Sequence, residues 1–304
     1  MKAKASRRAR KQGAPLTSRK PERIENPGVI ELDQRLAAGS FERVLLCEGD
    51  SWFDIYTPWP LVQPNLLDAL RTPRKTLLVD ISHIGDTAKE MATDPQAART
   101  LTLLNEFKFD ALLLSAGGND LKNAFNEAFM QSIVHKKANT EMPREVALMT
   151  TTPSKADSIF EDIVGYIVQW IALRQKSKLN KHTPVVLHGY DYIQPRPAFA
   201  RITVNGPKAS GPWIYPILKA AGKTDDEMRA MAKDVIDTLN HWLVKLVKPL
   251  PNVHLLDTRN TLQIAEPGTT KASNDWMDEI HAVPGGWTKL AERWWNPKLE
   301  SLLG

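Results

Sequence analysis

In Gly49-Asp50-Ser51-Trp52 a serine follows the apolar run Val44-Leu45-Leu46-Cys47 and stands on a turn leading toward a helix. A hydroxyl so placed projects from a strand end and becomes a nucleophile when a base takes its proton. Asp278-Glu279-Ile280-His281 supplies such a base near the end of the chain. An acid three residues before a histidine on a turn can reach the imidazole and fix its tautomer, freeing the other ring nitrogen to accept from serine. Asp80-Ile81-Ser82-His83 has the same spacing, so spacing alone does not choose between His281 and His83. Gly117-Gly118-Asn119-Asp120 ends another apolar run and offers the Asn119 side-chain amide as a donor to developing negative charge. Gly85, within Ser82-His83-Ile84-Gly85-Asp86-Thr87, lets a backbone N–H approach a ligand without a side chain in the way. The nucleophile-elbow pattern G-x-S-x-G would need glycine at position 53, where this chain has Phe53, which argues against that fold's turn.

The elements that must position these residues are short apolar runs bounded by Gly, Asp or Asn: 44–47, 76–81, 111–115, 185–187 and 253–256. Such runs suit strands buried on both faces of a parallel sheet. Helical periodicity fills the intervals over 61–70, over 88–104 with an interruption at Pro95, over 157–176, and along Met228, Met231, Val235, Leu239, Trp242 and Leu243. A last helical stretch, 286–304, is broken at Pro297. Alternating strands and helices predict one α/β domain over 27–304 with right-handed crossovers. Two segments depart from the alternation, 121–156 and 193–223, and both follow strand ends where open α/β sheets bind ligands. The second is rich in proline and aromatics and reads as a lid or pocket wall, or as a surface excursion packed by its own rings.

The ordered set of blocks resembles the SGNH (GDSL-type) hydrolases: Gly-Asp-Ser early, Gly after the second strand, Gly-x-Asn-Asp after the third, Asp-x-x-His late. The resemblance spans about Arg43 to Trp295. It implies a three-layer, flavodoxin-like α/β/α fold around a five-stranded parallel sheet. It further implies Ser51 as nucleophile, His281 as base and Asp278 as its orienting acid. The Ser51 and Gly85 N–H groups and the Asn119 amide would form the oxyanion hole, with Asp50 and Asp120 holding the loops. Trp52 stands where the family name has leucine, and this departure, with the two long insertions, bears on the substrate rather than the reaction. The implied activity is a serine esterase acting through an acyl-enzyme without metal or cofactor. Carbohydrate O-acetyl esters and short-chain or lysophospholipid esters are both open, and a catalytically silent carbohydrate- or lipid-binding protein is the alternative. Trp52, His83, His188, Tyr190 and Trp213 are the candidate substrate contacts, with a structural role equally open for His188 and Tyr190. Trp59 is a further candidate for the pocket wall. Trp170, Trp242, Trp294 and Trp295 fall at helical periods and read as packing, and His182 and His254 as surface or packing residues.

Charge and cysteine content narrow the rest. The net charge of +5 divides into +7 for residues 1–26, with nine Lys/Arg against two acids, and −2 for the remainder. The basic character is therefore a tail, expected as a solvated arm able to contact an anionic surface. A nucleic-acid-binding reading rests on that tail alone. Cys47, the single cysteine, excludes an internal disulfide framework and sits in an apolar run as a buried thiol. No run approaches the roughly 18 apolar residues of a membrane span, and no apolar segment follows the basic start as a secretory signal requires. The expectation is a cytoplasmic protein, or one exported without a recognisable signal.

Overall fold

The computed structural model describes residues 18–55, 64–124, 153–201 and 208–304, the side chains of 153–158 aside. Six parallel strands form one sheet: β1 (Glu22–Glu25), β2 (Arg43–Gly49), β3 (Thr76–Asp80), β4 (Ala111–Ser115), β5 (Val185–Gly189) and β8 (Val253–Asp257), in the spatial order β1-β3-β2-β4-β5-β8. A small antiparallel pair, β6 (Ala200–Arg201) and β7 (Lys208–Ser210), lies in the 193–223 excursion. Every residue of β3, β4 and β5 is buried, as continuous apolar runs require when helices cover both faces.

The helices are α1 (Val29–Ala38), α2 (Leu66–Ala69), α3 (Ala88–Ala92), α4 (Gln96–Glu106), α5 (Pro153–Lys176), α6 (Tyr215–Ala220), α7 (Asp225–Val247), α8 (Pro284–Leu290) and α9 (Asn296–Leu303). An unlabelled helical segment covers 118–124. Helices α3, α4, α5 and α7 pack in series, while α2, α8 and α9 form a second group around a π-helical turn at Ala291–Trp295. Right-handed crossovers account for the division, because connections running toward β8 and those running back fall on opposite faces. The three-layer α/β/α arrangement implied by the resemblance is present. Ile163, Ile167, Trp170 and Ile171 of α5 and Met228, Leu239 and Leu243 of α7 are buried, as their periodicity predicts.

Two expectations are corrected. The sheet has six strands rather than five, and the extra strand comes from Glu22–Glu25, inside the stretch assigned to the tail. It is an edge strand with one apolar residue, Ile24, and it is held to β3 by the Arg23–Asp80 ion pair as well as by its ladder. A charged strand of four residues carries almost no hydrophobic signal. Residues 1–17 lie outside the described residues. The stretch 88–104 is interrupted at Pro95 as expected and forms two helices, α3 and α4. The C-terminal stretch changes winding at Ala291–Trp295 rather than stopping at Pro297, which sits in the first turn of α9 just past the π-helical turn.

The order β3-β2-β4 places the reversal of chain direction across the sheet between β2 and β4. Ligands of open α/β sheets bind outside the carboxyl ends of the strands at this point. Ser51 leaves β2 there and Asn119 follows β4. Among the described residues no helix is long and apolar enough to cross a membrane.

Candidate active site

Ser51 is set by the turn that follows β2. Asp50 donates its backbone N–H to Ser115 of β4, and the N–H groups of Phe53 and Asp54 return to the Asp50 carbonyl. The Asp50 carboxylate accepts from the Trp52 N–H, from Ser115 Oγ and from the Tyr190 hydroxyl, all in the buried interior. Burial pushes the Asp50 pKa up while these donors pull it down. Gly49 is needed because a Cβ there would stand 2.8 Å from the Phe53 ring and 2.9 Å from Ser115 Cβ. Among the described residues nothing accepts from the Ser51 N–H.

The imidazole comes from the opposite side of the crevice. His281 Nδ1 lies 2.8 Å from Asp278 Oδ2, and its Nε2 lies 2.8 Å from Ser51 Oγ. Asp278 is fully buried, and its Oδ1 accepts the backbone N–H of both Ile280 and His281, each at 2.8 Å. As an acceptor-only carboxylate it accepts a hydrogen bond from Nδ1–H, which leaves Nε2 to accept from the serine hydroxyl. The Trp52 indole N–H donates to the Ile280 carbonyl at 3.1 Å and ties this loop to the Ser51 turn. The alternative acid–histidine pair is resolved by geometry. Asp80 is committed to Arg23 and the Ser82 N–H, and the exposed His83 side chain turns toward Asp86.

Asn119 is buried and donates its Nδ2 to the Asp86 carbonyl at 3.0 Å, which leaves the second amide hydrogen uncommitted. Asp120 accepts the Ala88 N–H at 2.8 Å and so binds the loops after β3 and β4 together. Gly85 is exposed with φ +91°, a left-handed conformation that side chains other than glycine rarely adopt.

Ser51 and Asn119 open on a small cavity walled by Leu121, Lys122, Ile193, Ile214, Ile236 and Ile280. Trp52 and Tyr190 also line it, although both are almost wholly buried and form its base. Trp213 meets His281 edge-on, ring centroids 5.9 Å apart. His83 is not among the lining residues, and Trp59 lies outside the described residues. His188 takes the structural role rather than the substrate contact. It is fully buried beneath the site, packed among Trp52, Phe53, Tyr190 and Trp295, with Nε2 bonded to Ser115 Oγ. Burial lowers its pKa to about 3. Its position at a strand end resembled a ligand contact, but its side chain takes the inward direction of the strand.

Three contributors escaped the sequence reading. The buried Arg196 guanidinium donates to the carbonyls of Trp276 and Asp278 and also to those of Thr269 and Lys271, clamping the histidine loop. Glu279 is fully buried and accepts the backbone N–H groups of Trp213, Ile214 and Tyr215. Burial pushes its pKa up to about 7 despite those donors. Lys122 lines the cavity three residues after Asn119. The adjacency of Glu279 to Asp278 was the one available signal; for Arg196 and Lys122 there was none.

No family model matches this sequence, and no curated protein matches it. Among solved structures the chain is similar to a lipase from a goat rumen metagenome, at 14% identity over 82% of this chain and 94% of that one, with a TM-score of 0.45. It is also similar to an acetylxylan esterase from Geobacillus stearothermophilus, at 15% identity over 83% of this chain and 91% of that one, with a TM-score of 0.41. The chemistry available here is read from the chain's own groups: a hydroxyl, an imidazole and a buried carboxylate in line, beside an apolar cavity.

Proposed function

We propose that this protein is a serine esterase of the SGNH type that hydrolyses carboxylic esters through an acyl-enzyme. The observation that carries the reading is the Ser51–His281–Asp278 chain, with both contacts at 2.8 Å, facing the cavity that Asn119 also lines. Ser51 Oγ attacks the ester carbonyl while its proton passes to His281 Nε2, and Asp278 stabilises the imidazolium through Nδ1–H. The carbonyl oxygen takes the electron pair and is met by the Ser51 N–H, the Gly85 N–H and the free Asn119 amide hydrogen, donors worth about 3 kcal/mol each in such sites. His281 returns the proton to the departing alcohol. Water, deprotonated by the same nitrogen, then attacks the acyl-enzyme and releases the acid and Ser51. The aliphatic wall of Leu121, Ile193, Ile214, Ile236 and Ile280 supports an aliphatic portion of the substrate beside the scissile bond. No step calls for a metal or cofactor.

Labelling with a fluorophosphonate, together with turnover of a 4-nitrophenyl ester series, tests this. Wild-type protein is expected to label and to hydrolyse the esters. Ser51→Ala should not label and should lose about ten-thousand- to million-fold in kcat. Folded wild-type protein that neither labels nor turns over any ester would replace the esterase with a binding module.

A further inference from the structure

We propose that Lys122 makes the cavity beside Ser51 a subsite for a small oxyanion, so that the ester taken by this protein carries a carboxylate or phosphate a few bonds from its scissile carbonyl. The word ester rests on the function proposed above; the anion subsite itself does not. Lys122 and Asn119 are separated by three residues in the helical segment 118–124, a spacing that puts both on one face. Both line the same cavity, and among its described lining residues Lys122 is the one cation and Asp50 the one carboxylate. Its Nζ lies 5.9 Å from the centre of the Trp213 ring, and the same ring stands 5.9 Å from His281. Trp213 thus touches both the ammonium and the imidazole.

The ammonium is half-buried against aliphatic side chains, and among the described residues no carboxylate lies within ion-pair distance of it. The negative charges that act on it from further away are Asp50 and Glu90. Asp50 is engaged by Trp52, Ser115 and Tyr190, and Glu90 by the Thr87 helix cap. A half-buried cation whose nearest described neighbour is an indole face gains from an incoming anion, whereas a neutral ligand leaves it uncompensated. Burial lowers the lysine pKa, and Asp50 and Glu90 oppose that.

The test is binding to the full-length Ser51→Ala protein, which needs no turnover. The probes are 4-nitrophenyl hydrogen glutarate, 2-(butyryloxy)ethyl phosphate and the neutral 4-nitrophenyl butyrate, titrated by isothermal calorimetry. At least one anionic probe is expected to bind ten times or more tighter than the neutral one, and which of the two does so identifies the anion. Added salt should weaken that preference, a measurement made with Lys122 in place. Adding Lys122→Met should erase it and Lys122→Arg should keep it. Equal affinity for all three probes, or a preference that survives Lys122→Met, would overturn the subsite. Fluorophosphonate labelling of the wild type is read separately: its failure counts against the esterase, while the binding result still decides the subsite.

Discussion

Ser51 and Asn119 stand at the ends of neighbouring strands, whereas His281 stands in residues 258–283, a stretch between β8 and α8 with no named helix or strand. The strand side is held by backbone ladders and by a local turn around Asp50, whose carboxylate gathers three donors. The histidine side is held by buried ionisable side chains working across the chain: Arg196 on four carbonyls, Glu279 on three N–H groups and Asp278 on two. Where no ladder is available to satisfy buried backbone groups, side chains must do so, because an unpaired buried donor or acceptor costs about 1–3 kcal/mol. The two sides also differ in how they meet pH. His188 under the strand side stays neutral down to about 3, while Glu279 on the loop side titrates near 7.

The largest expected effect lies at the join between the sides. Asp278→Asn replaces an acceptor-only carboxylate with an amide that can donate to Nδ1 and so favours the wrong imidazole tautomer. Steady-state kinetics should find kcat reduced about ten-thousand-fold, near 5 kcal/mol, with the fold retained by circular dichroism. A fall of less than tenfold would mean that His281 is oriented by other contacts.

His188 tests the strand side in acid. Its pKa is about 3 in the folded protein and about 6.5 when exposed, so its contribution to stability is complete above pH 6.5 and is lost as the pH falls toward 3. The difference corresponds to about 5 kcal/mol. Urea unfolding across this range should show the loss, and His188→Phe should remove that part of the slope. An unchanged slope in the variant would place the acid sensitivity elsewhere.

Glu279 gives the opposite trend on the loop side. With a folded pKa raised from 4.5 to about 7, the folded state keeps a proton that the unfolded chain releases. Stability should therefore fall as the pH rises from 4.5 to 7, by about 3 kcal/mol, and level off above. Thermal unfolding of Glu279→Gln should lack this dependence. If the two proteins follow the same curve, the Trp213–Tyr215 anchor does not titrate with Glu279.

The smallest effect is expected at Ser115→Ala. It removes the hydroxyl between His188 and Asp50 while the ladder remains, and chemical denaturation should register about 1 kcal/mol. A loss of 3 kcal/mol or more would show that side-chain bonds matter as much beneath Ser51 as they do around His281.

Much of the fold is legible in the sequence because buried parallel strands announce themselves as continuous apolar runs, and the α5 and α7 periodicities mark one face of each helix. The strand β1 was not legible, since its pairing depends on Arg23 reaching Asp80 rather than on apolar content. At the site, Ser51 and Asn119 followed from their places just beyond such runs. His281 and His83 were equal by spacing, and only the chain's path decided between them, bringing one to Ser51 and leaving the other at the surface beside Asp86.

Local order along the chain thus determined the strand sequence, the crossovers and the groups at the strand ends, because each follows from the period of apolar residues and from the residues that stop it. The tertiary structure alone decided that His188 belongs to the core, that Arg196 and Glu279 build the histidine loop, and that Lys122 faces the cavity. Those assignments depend on burial and on partners distant in the sequence, and burial is a property of packing that no local pattern records.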